Sequence, residues 1–372
     1  LFKLEPRQEP SRVMPYLSPL IALVVTVFLG ICLFLALGKD PGKCLEMFFV
    51  APVKNARALG ELSIKATPLL LIGLGLSLSF RSNVWNIGAE GQFILGTVFA
   101  TGVAIRATET SSPFIVVVIL AAGVLGGMFW GGIAALLRDR FNANEILVSL
   151  MLVYVAEQVL SYVVYGPWKD PHGYNFPQTI TFLDVARVPQ LTVTNRANVG
   201  VLVALAAAGA FWVFFHRTHA GYKLLVGGMA PLAARYAGFS SRSALWTAFL
   251  VSGGMAGLAG ALEVAGPGGQ LTTHVPLGYG FAAIIVAFVG RLDPIGAVFS
   301  SVLMSMFYIG GELSQARLGL PKSVTGVFQG LLLFALLTCD TFITYRLRWV
   351  STRKGASRAV LSRAPAVPEP KT

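Results

Sequence analysis

Asn86, Glu90 and Gln92 lie within the stretch FRSNVWNIGAEGQFILG, Phe80 to Gly96, of a chain that is 55% hydrophobic and 12% charged. Two amides and a carboxylate in so apolar a setting can contact a polar solute, gate its passage, or cap helix ends and fix the packing of their neighbours. An ionisable residue inside an apolar span is a functional candidate by default. Asn86 and Glu90 are four apart and share a face if the segment is helical. Gly88 and Gly91 also allow it to begin as irregular backbone. Such backbone is tolerated at membrane depth only when it is buried in protein or lines a cavity.

Catalytic chemistry has no comparable footing. A phosphate-cradling loop needs a glycine-rich run ending in Lys-Ser/Thr. GKDPGKC, Gly38 to Cys44, is one residue short, ends in cysteine and follows an apolar span. No serine elbow and no HExxH occurs. Cys32, Cys44 and Cys339 form no CxxC, and His172, His216, His219 and His274 are scattered. The expectation is therefore a chain without enzymatic activity, cofactor or metal. Glu157 reads as a buried, hydrogen-bonded carboxyl in preference to part of a proton relay.

The elements that position these residues are apolar spans. The chain has 372 residues and a mean hydropathy of +0.70, with about half the charged fraction of a soluble domain. It reads as an all-α, polytopic membrane protein of about ten transmembrane helices, near 15–37, 61–80, 85–105, 113–136, 145–165, 198–215, 244–264, 279–290, 295–311 and 323–344. The eighth is visibly short for a bilayer. The first is over 20 residues long without a small-residue cleavage site after it, so it reads as a retained span. Gly123, Gly127 and Gly131, and likewise Gly253 and Gly257, repeat at the four-residue spacing that lets helices approach closely.

Alternating the spans from an inside N-terminus places 18 of the 29 basic residues on the cytoplasmic side. That bias puts both termini in the cytoplasm, and the net charge of +12 reads as topology plus attraction to anionic lipid. No basic patch with interleaved aromatics suggests a nucleic-acid partner. The expected organisation is a cytoplasmic tail over 1–14, a transmembrane domain over 15–345, and a basic, disordered cytoplasmic tail over 346–372. The extracytoplasmic loop 166–197, with YGPWKDPHGYNFPQ, either packs over its own helices or docks a soluble partner. In the cytoplasmic loop 216–243, Pro231 to Ala237 reads as a short helix with Pro231 in its first turn and Gly238 beyond its end. Ala233, Ala234 and Ala237 make a small-residue face, suited to a groove on another protein or to the membrane surface.

This loop resembles the cytoplasmic coupling loop of permease subunits of bacterial ABC importers, in the group serving branched-chain amino acids, simple sugars and nucleosides. The resemblance rests on Gly221, Gly228, Pro231, Ala233, Ala234, Arg235, Tyr236, Ala237 and Gly238. Leu225 and Phe239 stand where the family usually has arginine and isoleucine. NIGAEGQFILG and RFNANEILVSLML, Arg140 to Leu152, are similar to segments of the nucleoside-type permeases. The likeness runs from about residue 15 to 345. It implies a multi-pass chain in the bacterial inner membrane that forms, with a second homologous permease, the path for a small polar solute, most closely a nucleoside. It also implies a separate ABC ATPase docked at Gly221, Gly228, Pro231, Ala233, Ala234, Arg235 and Gly238, and an extracytoplasmic substrate-binding lipoprotein. Simple sugars or branched-chain amino acids are the neighbouring alternatives. An ion-gradient-driven carrier is the alternative of another class, with Glu90, Glu157 and Glu263 as its few intramembrane acids.

Overall fold

The structure, a computed structural model, describes residues 2–6, 13–112, 114–173, 175–191 and 196–349. Its helices are α1 Met14–Ala36, α2 Pro41–Leu45, α3 Ala56–Arg81, α4 Ala89–Ala104, α5 Ile115–Phe141, α6 Glu145–Tyr165, α7 Gly200–Arg217, α8 His219–Met229, α9 Pro231–Tyr236, α10 Ser241–Glu263, α11 Tyr279–Val289, α12 Pro294–Leu318 and α13 Ser323–Thr344. Every expected span has its helix, and eight are long and apolar enough to cross a membrane. The other two are shorter. α4 has 16 residues and α11 has 11, so they reach only ~24 and ~16 Å against ~30 Å of hydrocarbon.

The helices begin and end where local chemistry dictates. Asn55, Asn144, Ser240 and Asp293 each cap a first turn by accepting from a backbone N–H, at the starts of α3, α6, α10 and α12. Left-handed Asn142 ends α5, and left-handed Gly319 ends α12.

α3 and α10 form the centre, buried along most of their length, whereas α1, α6 and α7 are largely exposed. The glycine repeats act at the contact of α4, α5 and α10. A Cβ on Gly127 would stand 2.0 Å from the Gly253 carbonyl, one on Gly257 2.1 Å from that of Gly123, and one on Gly96 2.4 Å from the Gly257 Cα. Backbones touch there because no side chain intervenes. Exposed Leu20, Val24 and Phe28 on α1, Val117 and Leu125 on α5, and Phe334 on α13 give the outer surface its apolar character.

Strand β1, Phe2–Pro6, pairs antiparallel with β2, Tyr345–Trp349. This terminal ribbon is the departure from an all-helical chain, and it replaces the expected free tail over its own residues. The remaining tail, 350–372, lies outside the described residues. At the ribbon's end of the bundle, Arg291 pairs with Asp340 of α13 at 2.8 Å. Arg81 faces Asp293 at 3.6 Å, and His216 faces the same carboxylate at 3.9 Å. The terminal ribbon, the α7–α10 connection and the α11–α12 turn therefore share one end. At the opposite end, loop 166–197 is stitched to the segment after α10. Thr179 donates to Leu271 O at 3.0 Å, Phe182 to Gly269 O at 2.8 Å, and Val188 to Ala265 O at 2.9 Å. The loop packs over its own helices.

Candidate functional site

α3 ends with Ser82 N–H returning to Leu78 and Ser79, and Asn83 turns the chain at φ 56°. The chain then runs irregularly to Gly88 before α4 starts, so Asn86 precedes the helix and does not share a face with Glu90. A Cβ on Gly88 would meet Ser149 O at 2.5 Å, and one on Gly280 would meet Glu90 N at 2.2 Å. Both glycines let this broken backbone sit against α6 and α11.

The polar side chains of this segment close on one another. Asn86 Nδ2 donates to Gln92 Oε1 at 2.9 Å and to Ser252 Oγ of α10 at 2.8 Å. Its Oδ1 accepts from Gln92 Nε2 and from Gly88 N–H, both at 3.1 Å. Glu90 Oε1 accepts from Gly278 N–H at 3.0 Å, and Oε2 accepts from Gly280 N–H. Its carboxylate thus caps the first turn of α11, where free amides and the helix dipole favour negative charge. Asn86, Glu90 and Gln92 are 0%, 2% and 1% exposed. The N-termini of the two short helices, α4 and α11, meet at this carboxylate. Glu157 lies half-buried on α6, and among the described residues it has no hydrogen-bond partner, contrary to expectation.

At the end bearing the terminal ribbon, the α7–α10 connection folds as two helices. Thr218 caps α8 by accepting from Gly221 N–H at 3.1 Å. Gly221 seats α8 against α7, where a Cβ would stand 2.2 Å from Phe214 O. Gly228 seats it against the end of α3, where a Cβ would stand 2.1 Å from Arg81 O. α9 follows, closed by Gly238 at φ +78°. A groove of about 900 Å³ runs beneath, lined by Asn83, Arg138, Lys223, Leu224, Ala234 and Arg242 among others. Here the structure corrects the expected small face. Ala233 and Ala237 are exposed, but Ala234 is 3% exposed and turned into this groove. The outward stripe is Met229, Leu232 and Tyr236, 78%, 77% and 95% exposed. Leu232 and Tyr236 are four apart on α9, and Met229 ends α8 just before the break at Ala230. Pro231 and Arg235 are also exposed.

A third polar cluster lies toward the opposite end, inside the spans. Lys65 Nζ of α3 contacts Glu312 Oε1 of α12 at 3.1 Å, with side chains 16% and 58% exposed. Lys65 also stands over the Tyr279 ring, 5.8 Å from its centroid. The Tyr279 and Tyr308 rings are 5.3 Å apart, and Tyr308 OH donates to Leu277 O at 3.2 Å. Tyr279 is fully buried, yet among the described residues its hydroxyl has no hydrogen-bond partner.

The family model described as "Branched-chain amino acid transport system / permease component" matches residues 58–337. The chain belongs to this permease family. It is similar over its length to a glucose ABC transporter permease protein of Haloferax volcanii, at 32% identity covering 95% of each chain. It is also similar to the guanosine ABC transporter permease protein of Bacillus subtilis, at 28% identity over 93% of this chain and 99% of the relative. A nucleoside ABC transporter permease protein of Lactococcus lactis is 26% identical over 86% of this chain and 89% of its own. No solved structure matches significantly.

As an ABC permease subunit the chain is a multi-pass membrane protein, not an enzyme, and it works with an ATPase and a substrate-binding partner. In this chain the NIGAEGQ segment is where α4 and α11 are locked together, and the α8–α9 connection exposes Met229, Leu232 and Tyr236. The Lys65–Glu312 pair escaped sequence reasoning. Lys65 counts among the basic residues outside the cytoplasmic face, and Glu312 stands one residue beyond the expected ninth span. The signal that finds them is the extent of α12, which carries Glu312 six residues before its last position, Leu318, inside a continuous helix.

Proposed function

We propose that the chain is the permease subunit of an ATP-driven importer for a neutral, sugar-ring solute, a simple sugar or a nucleoside. The supporting observation is full-length similarity to permeases named for glucose, guanosine and nucleosides, joined to an exposed apolar stripe on the loop at one end of the bundle. Nucleoside uptake, implied by the NIGAEGQ resemblance, is the narrower reading. A second permease chain would complete the path and a lipid-anchored binding protein would deliver the solute. Family membership removes the ion-gradient-driven carrier.

In this reading the terminal ribbon and the α8–α9 loop face the cytoplasm, as the basic bias requires. Met229, Leu232 and Tyr236 dock on the ATPase. Gly221 and Gly228 transmit its movement, because α8 rests directly on the backbone of Phe214 in α7 and of Arg81 at the end of α3. Arg81 leads into the irregular segment and Glu90, which holds the start of α11. Asn86 and Gln92 serve that lock and do not touch the solute. The test is uptake of labelled glucose, guanosine and leucine by cells with and without the chain. Loss of glucose or guanosine uptake supports the assignment; loss of leucine uptake alone moves the protein to a sister group.

A further inference from the structure

Lys65 and Glu312 are charged residues inside long apolar helices. Counting ~1.5 Å per residue along α3 and α12, both lie several ångströms within the hydrocarbon depth. Lipid cannot solvate them. Charged side chains at such depth face the bundle interior or a water-filled cavity. Glu312 is 58% exposed, so its carboxylate is not enclosed by this chain. It must face water, which among the spans means the translocation path.

The surroundings are those of a recognition surface. Lys65 and Glu312 form a pair with no net charge, offering donors on one side and acceptors on the other. Tyr279 and Tyr308 add two aromatic faces. Among the described residues the Tyr279 hydroxyl has no partner, although the residue is fully buried. A buried, unmade hydrogen bond costs ~1–3 kcal/mol, so this hydroxyl is available to a solute hydroxyl or a water. It lies in the electrostatic neighbourhood of Glu263, Tyr308, Glu312 and Glu90, and Glu263 in that of Lys65, Arg196 and Glu312. Lys65 and Arg196 balance Glu263 and Glu312, which leaves no surplus cation to hold an anion such as a sugar phosphate and suits a neutral ring carrying several hydroxyls.

We propose that Lys65, Glu312 and Tyr279, with the Tyr308 ring, form a solute-contact site in the translocation path, reading the hydroxyls of a neutral sugar ring as it passes. The site rests on the sugar-ring reading above and locates where that ring is recognised in the membrane. It is continuous with the lock: Glu90 holds Gly278 and Gly280, the residues immediately before and after Tyr279, the first residue of α11. Solute at Tyr279 and movement at the end of α3 therefore act on the same short helix.

The experiment uses the complete transporter, with its ATPase, second permease and binding protein, in proteoliposomes. The chain carries Glu312→Cys, with Cys32, Cys44 and Cys339 replaced by serine. A charged, membrane-impermeant methanethiosulfonate is added from the binding-protein side during turnover. We expect modification, slowed severalfold by glucose or guanosine, whichever the unmodified transporter takes up. In a second variant, Tyr279→Phe, the ratio of uptake of that solute to its deoxy analogue should fall roughly three- to tenfold, the worth of one neutral hydrogen bond. A merely structural hydroxyl would lower both uptakes alike and leave the ratio unchanged. An unreactive cysteine, or an unchanged ratio in Tyr279→Phe, overturns the site while wild-type uptake still upholds the sugar-ring reading. If the wild-type complex takes up neither glucose nor guanosine, that reading fails instead.

Discussion

Replacing Leu232 and Tyr236 together by alanine should detach the ATPase while leaving the permease folded. These side chains are 77% and 95% exposed and stand on a six-residue helix, so their loss removes little that holds the chain itself. Leu→Ala deletes about three carbons at ~0.8 kcal/mol each. Scaled by the 77% exposure, that is ~1.8 kcal/mol of docking energy if the partner covers the residue. A tyrosine at the centre of an interface is worth ~2 kcal/mol or more on truncation. The two are neighbours and do not add fully, so a combined loss of ~2–4 kcal/mol follows, roughly a 30- to 1000-fold weaker complex. Co-elution of the ATPase from a detergent-solubilised complex reads the affinity, and solute-stimulated ATP hydrolysis reads the coupling. Thermal unfolding of the isolated permease should be unchanged. Ala234→Glu is the contrast. Ala234 is 3% exposed beneath α9, so the carboxylate should disrupt the loop from inside, and leucine there should also be harmful. Full co-elution and hydrolysis in the double alanine variant would refute the docking face.

Gly127→Val should abolish accumulation of folded protein, because its first added carbon already stands 2.0 Å from the Gly253 carbonyl and overpacking of that kind costs ~1–3 kcal/mol or more; membrane-fraction yield and size-exclusion profile check this. Asn86→Ala leaves Gln92 and Ser252 without their shared partner and should cost ~1–3 kcal/mol for each buried group left unpaired. A lower melting temperature in detergent with unchanged solute preference is the expected result; a changed preference would return Asn86 to the pathway. Single cysteines at Asn175 and Ser240, in a chain lacking its native cysteines, should react with impermeant reagents from opposite sides of the membrane.

Much of the architecture was legible from apolar runs, since a span has to be long and apolar whatever it packs against. The glycine repeats were legible too, because four-residue spacing on two helices leaves backbone contact as its use, and α5 and α10 meet at Gly127 and Gly253. The broken start of α4 was only half legible. Asn86 and Glu90 suit a helix by spacing, but the backbone is irregular over 84–88 and α4 begins only at Ala89. The facing of Ala234 was not legible at all. Six residues make too few turns for a pattern to mark the buried side, and α8 beneath decides it. Lys65 and Glu312 are 247 positions apart, and nothing local announces that they meet. The NIGAEGQ likeness illustrates a further limit: Asn86, Glu90 and Gln92 hydrogen-bond within the bundle and join α4 to α10 and α11, which the motif's spelling does not reveal. Relatives named for glucose and for guanosine match the chain over nearly its whole length.

The most direct measurement of the central claim is solute accumulation in proteoliposomes holding the complete transporter, with ATP supplied to the ATPase side and labelled glucose, guanosine or leucine delivered by the binding protein. The account predicts accumulation of glucose or guanosine that requires ATP and disappears with the Leu232 and Tyr236 alanine pair. Uptake driven by an ion gradient without ATP, or ATP-driven uptake of leucine alone, would contradict it.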